Sequence, residues 1–329
     1  FFKQKTAYEM LRSLVGSEMC IRDRCVSAAA HTGEELQTGR FRALLAELRR
    51  LDVRSVVLKG GGEPTIHRGI GEMLAACVEE GLPVGLITNG SMPHAGTREA
   101  VLACAEWVRV SLDAGCAATH RQIHGTADFR RILDHVAFLA ARAERTLVGL
   151  NFTAEPRNFR EIESFTRLAR DLGAAYVSIR CVFDPSSRIP PAIRQEMRRQ
   201  AAAARELETD RFRVLLGNFT DRYLDADWSD PFPYRRCLGP SLVGVVGADG
   251  EVYACCFLRG RREFSFGNLA EASFQEIWDS PRRREVMQRI DCGECGHVCI
   301  GGMTASRYNV YNEILNYLEL EHKQHVEFI

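Results

Sequence analysis

Cysteine carries the most chemistry in this sequence. Of twelve cysteines in 329 residues, six lie in the last third: Cys237, Cys255, Cys256, Cys292, Cys295 and Cys299. Cys237 and Cys255 bracket the first strand and the turn of an expected hairpin. Cys292 and Cys295 form a C-x2-C pair, whose two intervening residues let both sulfurs reach one metal from a tight loop. Four thiolates hold either a tetrahedral zinc or an iron–sulfur cluster, and spacing alone leaves both open. Cys256 neighbours Cys255, and adjacent strand residues face opposite ways, so one of the two ligates. Cys255 is favoured, with Cys256 and Cys299 as alternates. Cys77, Cys104 and Cys116 read as ordinary core or loop thiols.

A second set of candidates sits at the ends of expected strands: Gly61-Gly62-Glu63-Pro64, Ser111 with Asp113, Asn151 and Arg180. The elements that position them alternate. Phe41, Leu44, Leu45 and Leu48 share one helical face, as do Ile70, Met73, Leu74 and Cys77, and Phe129, Ile132, Leu133 and Val136. Between these come short apolar runs read as buried strands: Val53–Leu58, Pro83–Thr88, Trp107–Leu112, Leu147–Phe152 and Tyr176–Val182. Strand and helix in alternation mean parallel pairing with right-handed crossovers, an α/β doubly wound sheet or a full or partial barrel. In either, ligands gather at the carboxyl ends of the strands, where these candidates occur. Asn158 and Glu161 read as a helix cap with its reciprocal partner. A long helix is expected from Pro191 to Leu207 and a strand over Phe212–Leu216. After an acidic aromatic linker, Asp221–Tyr234, a hairpin turns at Ala248-Asp249-Gly250. A helix near Phe274–Ile290 follows, and the tail has a helical packing face from Tyr308 to Leu318.

Forty-three basic residues balance forty-three acidic ones. No global field draws in nucleic acid, and no apolar run is long enough to span a membrane. Phe1–Arg24 lacks an apolar core of signal-peptide length, because Arg12 interrupts the one candidate. Clustered cysteine in a long chain of this kind indicates metal rather than disulfide, and a cytoplasmic location is expected. His67, His120 and His124 read as structural or exposed. No carboxylate pair or Ser/His/Asp set stands out for polar catalysis.

Taken together, these motifs resemble the radical S-adenosylmethionine (SAM) superfamily. The carriers are Gly61-Gly62-Glu63-Pro64 directly after a strand, Gly85-Leu86-Ile87-Thr88-Asn89-Gly90, and Val110-Ser111-Leu112-Asp113. The later cysteines resemble the SPASM/twitch extension: Cys237, a spacer, Gly250, four residues and Cys255. The resemblance covers about residues 25–300. It implies a partial (β/α)6 TIM-like barrel over 25–215 and a small cysteine-rich domain over 216–329 with one auxiliary [4Fe–4S] cluster on Cys237, Cys255, Cys292 and Cys295. It further implies S-adenosylmethionine bound by Gly61, Gly62, Glu63 and Pro64, its ribose by Ser111 and Asp113, with Asn151 and Arg180 on later strands. Arg180 would meet the methionine carboxylate.

The resemblance also implies a radical [4Fe–4S] cluster on C-x3-C-x2-C just after the first strand. Cys25 stands in the third place, but positions 22 and 18 are Arg22 and Glu18. Phe1–Arg24 resembles a translated sequencing-adapter read-through, so the first strand and two ligands of the natural protein are expected to be missing and this polypeptide inactive. In an intact relative, reductive cleavage of the cofactor gives a 5′-deoxyadenosyl radical that takes hydrogen from substrate. A peptide is the first expectation for that substrate and a small molecule the second, with a flavodoxin- or ferredoxin-type reductant. The competing reading is a non-catalytic zinc or iron–sulfur protein on a degenerate barrel.

Overall fold

The computed structural model describes residues 10–13, 34–60, 62–181, 189–216, 237, 239–241, 243–256 and 258–291. Cys25, Gly61, Phe257, Cys292, Cys295, Cys299, the expected linker and the expected tail helix lie outside them.

The chain opens with strand β1 (Met10–Ser13) and helix α1 (Thr38–Arg50). Then follow β2 (Val56–Leu58), α2 (Ile70–Glu79), β3 (Val84–Thr88), α3 (Thr97–Cys104) and β4 (Ala105–Ser111). Two helices come next, α4 (Ala117–His124) and α5 (Phe129–Arg142), then β5 (Leu147–Ala154), α6 (Ile162–Asp171), β6 (Tyr176–Cys181), α7 (Pro191–Arg205) and β7 (Arg213–Leu216). The last described stretch holds β8 (Val243–Val246), β9 (Glu251–Tyr253), β10 (Ser265–Asn268), α8 (Phe274–Asp279) and α9 (Pro281–Arg289).

All ten strands form one sheet in the order β10-β9-β8-β1-β2-β3-β4-β5-β6-β7. From β1 to β7 every pairing is parallel, as the alternating pattern requires. β8 runs parallel to β1 on the other side, and β9 and β10 add antiparallel edges. The sheet is therefore continuous across the boundary expected near residue 215. The first-strand slot, expected to be empty, is taken by Met10–Ser13, which pairs in register with Val56–Leu58 on one side and Val243–Val246 on the other.

One face of the sheet is apolar and helix-covered. Val56, Leu58, Leu86, Val108, Val110, Leu150, Phe152, Val177 and Ile179 pack there with Phe41, Leu44, Leu45 and Leu48 of α1 and the apolar stripes of the other helices. Burying each such side chain contributes about 1.5–3 kcal/mol. Phe274, Ile277 and Trp278 of α8 belong to the same core, which binds the last elements to the rest. The helix expected over Phe274–Ile290 is broken in two. Ser280 ends α8 and caps α9, accepting from the Arg283 backbone N–H, and Pro281 takes the first position of α9, where its missing N–H costs nothing.

The other face carries the alternate residues of each strand: Trp107, Arg109 and Ser111 on β4, Gly149, Asn151 and Thr153 on β5, and Tyr176, Ser178 and Arg180 on β6. No described helix residue shares a core cluster with them. This is the inner face of the partial barrel.

Candidate functional site

Ser111 ends β4, and register sets Asn151, midway along β5, and Ser178, midway along β6, side by side with it, while Thr153 stands beside Arg180 one step further on. Strand register alone assembles this layer. Asn151 is 9% exposed and donates to Thr153 Oγ1 at 3.2 Å, while Arg180 is exposed. Three hydroxyls, an amide and a guanidinium on one inner face suit a ligand with hydroxyls and a carboxylate.

Glu63 and Asp113, which the resemblance assigns to the cofactor, both make hydrogen bonds within the protein. Glu63 is buried, and its carboxylate already has four donors. Oε1 accepts from the Thr65 backbone N–H at 3.0 Å, Thr65 Oγ1 at 2.6 Å and Thr88 Oγ1 at 2.5 Å. Oε2 accepts from the Asn89 backbone N–H at 2.5 Å. Burial raises its pKa, and the bonds from Asn89, Thr65 and Thr88 oppose that rise. The side chain thus clamps the loop after β2 to the end of β3. A Cβ on Gly60 would collide with the backbone of Gly62, so the loop folds tightly back on itself.

Asp113 is likewise turned inward. Its Oδ1 accepts from the Thr153 backbone N–H at 2.6 Å, and its Oδ2 lies 3.5 Å from His124 Nε2. Its φ of 53° is a left-handed conformation that side chains rarely adopt. The residues that hold it there include two the sequence assigned to a helix cap. Asn158 donates from Nδ2 to the Asp113 carbonyl at 2.8 Å and to the Thr153 carbonyl at 2.9 Å, and its Oδ1 accepts from the Glu155 N–H. Glu161 accepts from the Gly115 N–H at 2.7 Å and from Thr119 Oγ1 at 2.5 Å. Neither caps a helix with its side chain. A spacing of three residues fits a cap, but both side chains reach across to the loop after β4.

The histidines were read as structural or exposed, and structural is right. His124 donates from Nε2 to the Leu112 carbonyl at 3.0 Å and stacks on His120 at 4.6 Å. His120 is 2% exposed and meets Asp128 Oδ1 at 3.1 Å. Burial works against the Asp128 charge, but bonds from Thr126, His120 and Arg131 hold its pKa below the usual range. His67 is buried, its Nδ1 accepting from the Gly69 N–H. Burial, helped by nearby Cys104, pushes the Cys77 thiol up to about 12, as an inert core thiol requires.

In the cysteine region, Cys237 and Cys255 both pack against the main core, whereas Cys256 packs against Val245 and Tyr253 in a separate cluster. The neighbours thus face different surroundings. Among the described residues no three His, Cys, Asp or Glu side chains converge on a metal site, and no helix is long and apolar enough to cross a membrane.

The parallel sheet and its inner-face polar layer fit the radical SAM class that the motifs resemble. A model of the radical SAM superfamily matches residues 20–173, and one described as an iron–sulfur cluster-binding domain, SPASM, matches residues 237–299. The chain belongs to the radical SAM superfamily with a SPASM domain, and its cofactors are S-adenosylmethionine and [4Fe–4S] clusters. It is 28% identical over 307 residues to the mycofactocin maturase MftC of Mycobacterium tuberculosis (strain ATCC 25618 / H37Rv), covering 86% of this chain and 75% of the relative. It is 25% identical over 333 residues to the AdoMet-dependent heme synthase of Methanosarcina barkeri, covering 92% and 91%. It is 26% identical over 249 residues to a PqqA peptide cyclase of Ruegeria pomeroyi, covering 74% and 66%. Among solved structures, SuiB of Streptococcus suis bound to its precursor peptide SuiA superposes with a TM-score of 0.65 at 15% identity, covering 85% of this chain and 67% of that one.

Proposed function

We propose that this protein is a radical SAM enzyme that oxidises or otherwise matures a peptide substrate. The observation that supports it most is the inner-face layer of Ser111, Asn151, Ser178 and Arg180, in a chain whose relatives include a maturase and a peptide cyclase. The cofactor supplies a 5′-deoxyadenosyl radical when the cluster beside it is reduced. The chain's own residues position it. Ser111 and Asn151 offer hydrogen bonds to ribose hydroxyls, Arg180 pairs with the methionine carboxylate, and the Gly61–Pro64 backbone meets the amino group. Glu63 and Asp113 hold these loops rather than touch the ligand. Thiolates of Cys237, Cys255, Cys292 and Cys295 hold the auxiliary cluster.

Cys25 is the third cysteine of the radical-cluster motif, and Glu18 and Arg22 stand where its partners belong. The polypeptide as printed therefore assembles the auxiliary cluster alone. The double variant Glu18→Cys/Arg22→Cys, reconstituted anaerobically and reduced with dithionite, is expected to turn brown and release 5′-deoxyadenosine, while the unaltered chain releases none. Steady release by the unaltered chain would refute this account of Cys25, and colourless zinc-containing protein would favour a non-catalytic metal-binding role.

The near-complete mutual coverage with the heme synthase favours a second reading, a tetrapyrrole substrate. Optical titration with an iron porphyrin separates the two. Tight stoichiometric binding supports the second reading, and its absence leaves the peptide reading.

A further inference from the structure

The described histidines each stand in, or bond to, the connections that leave the carboxyl ends of β2, β3 and β4. Three of them donate to a backbone carbonyl there. Besides His124 at Leu112, His94, in the connection after β3, donates from Nε2 to the Ile66 carbonyl after β2 at 2.8 Å. His135, on α5, donates from Nδ1 to the Gly90 carbonyl after β3 at 2.9 Å. A carbonyl oxygen can only accept, so each of these ring nitrogens carries a hydrogen. The connection after β3 needs such ties. Its backbone is left-handed twice, at Gly90 (φ 80°) and at Met92 (φ 37°), and Met92 carries a buried side chain. Conformations of that kind persist where the surroundings over-determine them. A Cβ on Gly90 would lie 2.8 Å from Ile132 and from Val110. Helix α5 thus presses on Gly90 with Ile132 and bonds it with His135, three residues on along the same face. From Gly90 the bonds run inward: its N–H donates to Thr88 Oγ1 at 2.9 Å, and Thr88 Oγ1 donates to Glu63 Oε1.

We propose that His94 and His135 are positioning residues for S-adenosylmethionine, acting through the Ile66 and Gly90 carbonyls. Glu63 alone would join the loops after β2 and β3 around one carboxylate and let them pivot about it. His94 adds a second tie between the same two loops, three residues past Glu63, at Ile66. His135 anchors the joined pair to α5 in the helix layer. With all three ties in place the Gly61–Pro64 backbone is set before the cofactor arrives, so binding does not have to order it. Loops lack a ladder of backbone bonds, and a ring nitrogen on a rigid helix or a neighbouring loop supplies the missing donor. The proposal deepens the radical SAM reading and rests on its assignment of Gly61–Pro64 to the cofactor.

The full chain is titrated by calorimetry with S-adenosylhomocysteine, well below its unfolding midpoint. His94→Ala and His135→Ala should each raise the dissociation constant about three- to ten-fold, the worth of one hydrogen bond. Rescue depends on which ring nitrogen donates. An asparagine amide nitrogen falls near the Nδ1 of a histidine and a glutamine amide nitrogen near its Nε2. His135→Asn should therefore restore most of the affinity and His135→Gln little. At position 94 the order reverses, with His94→Gln restoring and His94→Asn not. Circular dichroism checks folding, and where an alanine variant does not fold, the asparagine and glutamine pair at that position carries the comparison. A structural role alone would shift melting midpoints and leave the dissociation constants of the folded variants unchanged. Unchanged constants in both alanine variants, or rescue in the opposite order, overturn the proposal. The two possible failures differ. A parent chain that binds no S-adenosylhomocysteine would sink the assignment of Gly61–Pro64 itself, whereas parent affinity kept by both alanine variants would sink this inference alone.

Discussion

Glutamine at position 63 separates a carboxylate that binds the cofactor from one that builds the site. In the structure Oε1 accepts three hydrogen bonds and Oε2 one. A glutamine keeps its oxygen where three donors meet, which turns its amide N–H2 toward the Asn89 backbone N–H. That buried donor then has no acceptor, at a cost of about 1–3 kcal/mol. The three remaining bonds lose their charge assistance, roughly 1 kcal/mol each, offset by the removal of a buried charge. Glu63→Gln should therefore destabilise the fold by about 2–3 kcal/mol, read from the urea midpoint at unchanged slope. It should also weaken binding of S-adenosylmethionine, because the loop after β2 is no longer clamped to β3. Thr88→Val, which removes one of the four donors, should reproduce part of both effects. A direct contact predicts weaker binding at unchanged stability. A midpoint within about 0.5 kcal/mol of the parent would refute the clamp. The pH dependence has a definite sign. Burial raises the folded pKa of Glu63 above the ordinary carboxylate range. Its contribution is fully present below the unfolded value and is lost as pH rises through the folded one. The stability gap between parent and Glu63→Gln should narrow on going from acid toward neutral pH.

Three other outcomes follow from the same geometry. His124→Ala removes the donor to the Leu112 carbonyl beside Asp113, whose φ is 53°. It should cost about 1–2 kcal/mol and raise the cofactor's dissociation constant, and Asn158→Ala should behave alike. A role in stability alone would move the melting midpoint and leave that constant unchanged. Cys237→Ser and Cys255→Ser should lose the auxiliary iron and sulfide while Cys256→Ser keeps them, by metal analysis of anaerobic protein, because only Cys256 packs in the separate cluster. Gly149→Ala drives a methyl into the Tyr176 ring and should lower stability by about 1–3 kcal/mol. Pairing it with Tyr176→Ala should recover most of the methyl's own cost in a double-mutant cycle.

The sheet was legible because its signals are local. Alternating apolar runs and helical stripes placed β2 to β7 within a few residues, and Asp249-Gly250 marked the hairpin of β8 and β9. What sequence could not give was the direction in which a polar side chain turns. Glu63 and Asp113 stand at motif positions, yet both carboxylates point into the loops they stabilise. Asn158 and Glu161 have the spacing of a cap, but their partners lie some forty-five residues earlier in the chain, at Asp113, Gly115 and Thr119. Periodicity reports only near neighbours, so bonds of that span are invisible to it. The approach of the Trp107 ring to Gly85 and of the Tyr176 ring to Gly149 had a signal of its own, since glycines inside strands mark places where another group comes close to the backbone.

These side-chain directions share a physical cause. A carboxyl-end site is built from loops, and loops have no ladder of backbone bonds to fix them. Some side chain must supply those bonds, and a buried carboxylate or amide with several acceptors or donors does so most efficiently. Residues at a motif therefore divide into those that hold the loop and those that face the ligand. The first kind is recognisable by burial and a full set of internal partners, as at Glu63. The second is recognisable by an inner-face position on a strand whose register is already fixed, as at Ser111, Asn151 and Arg180.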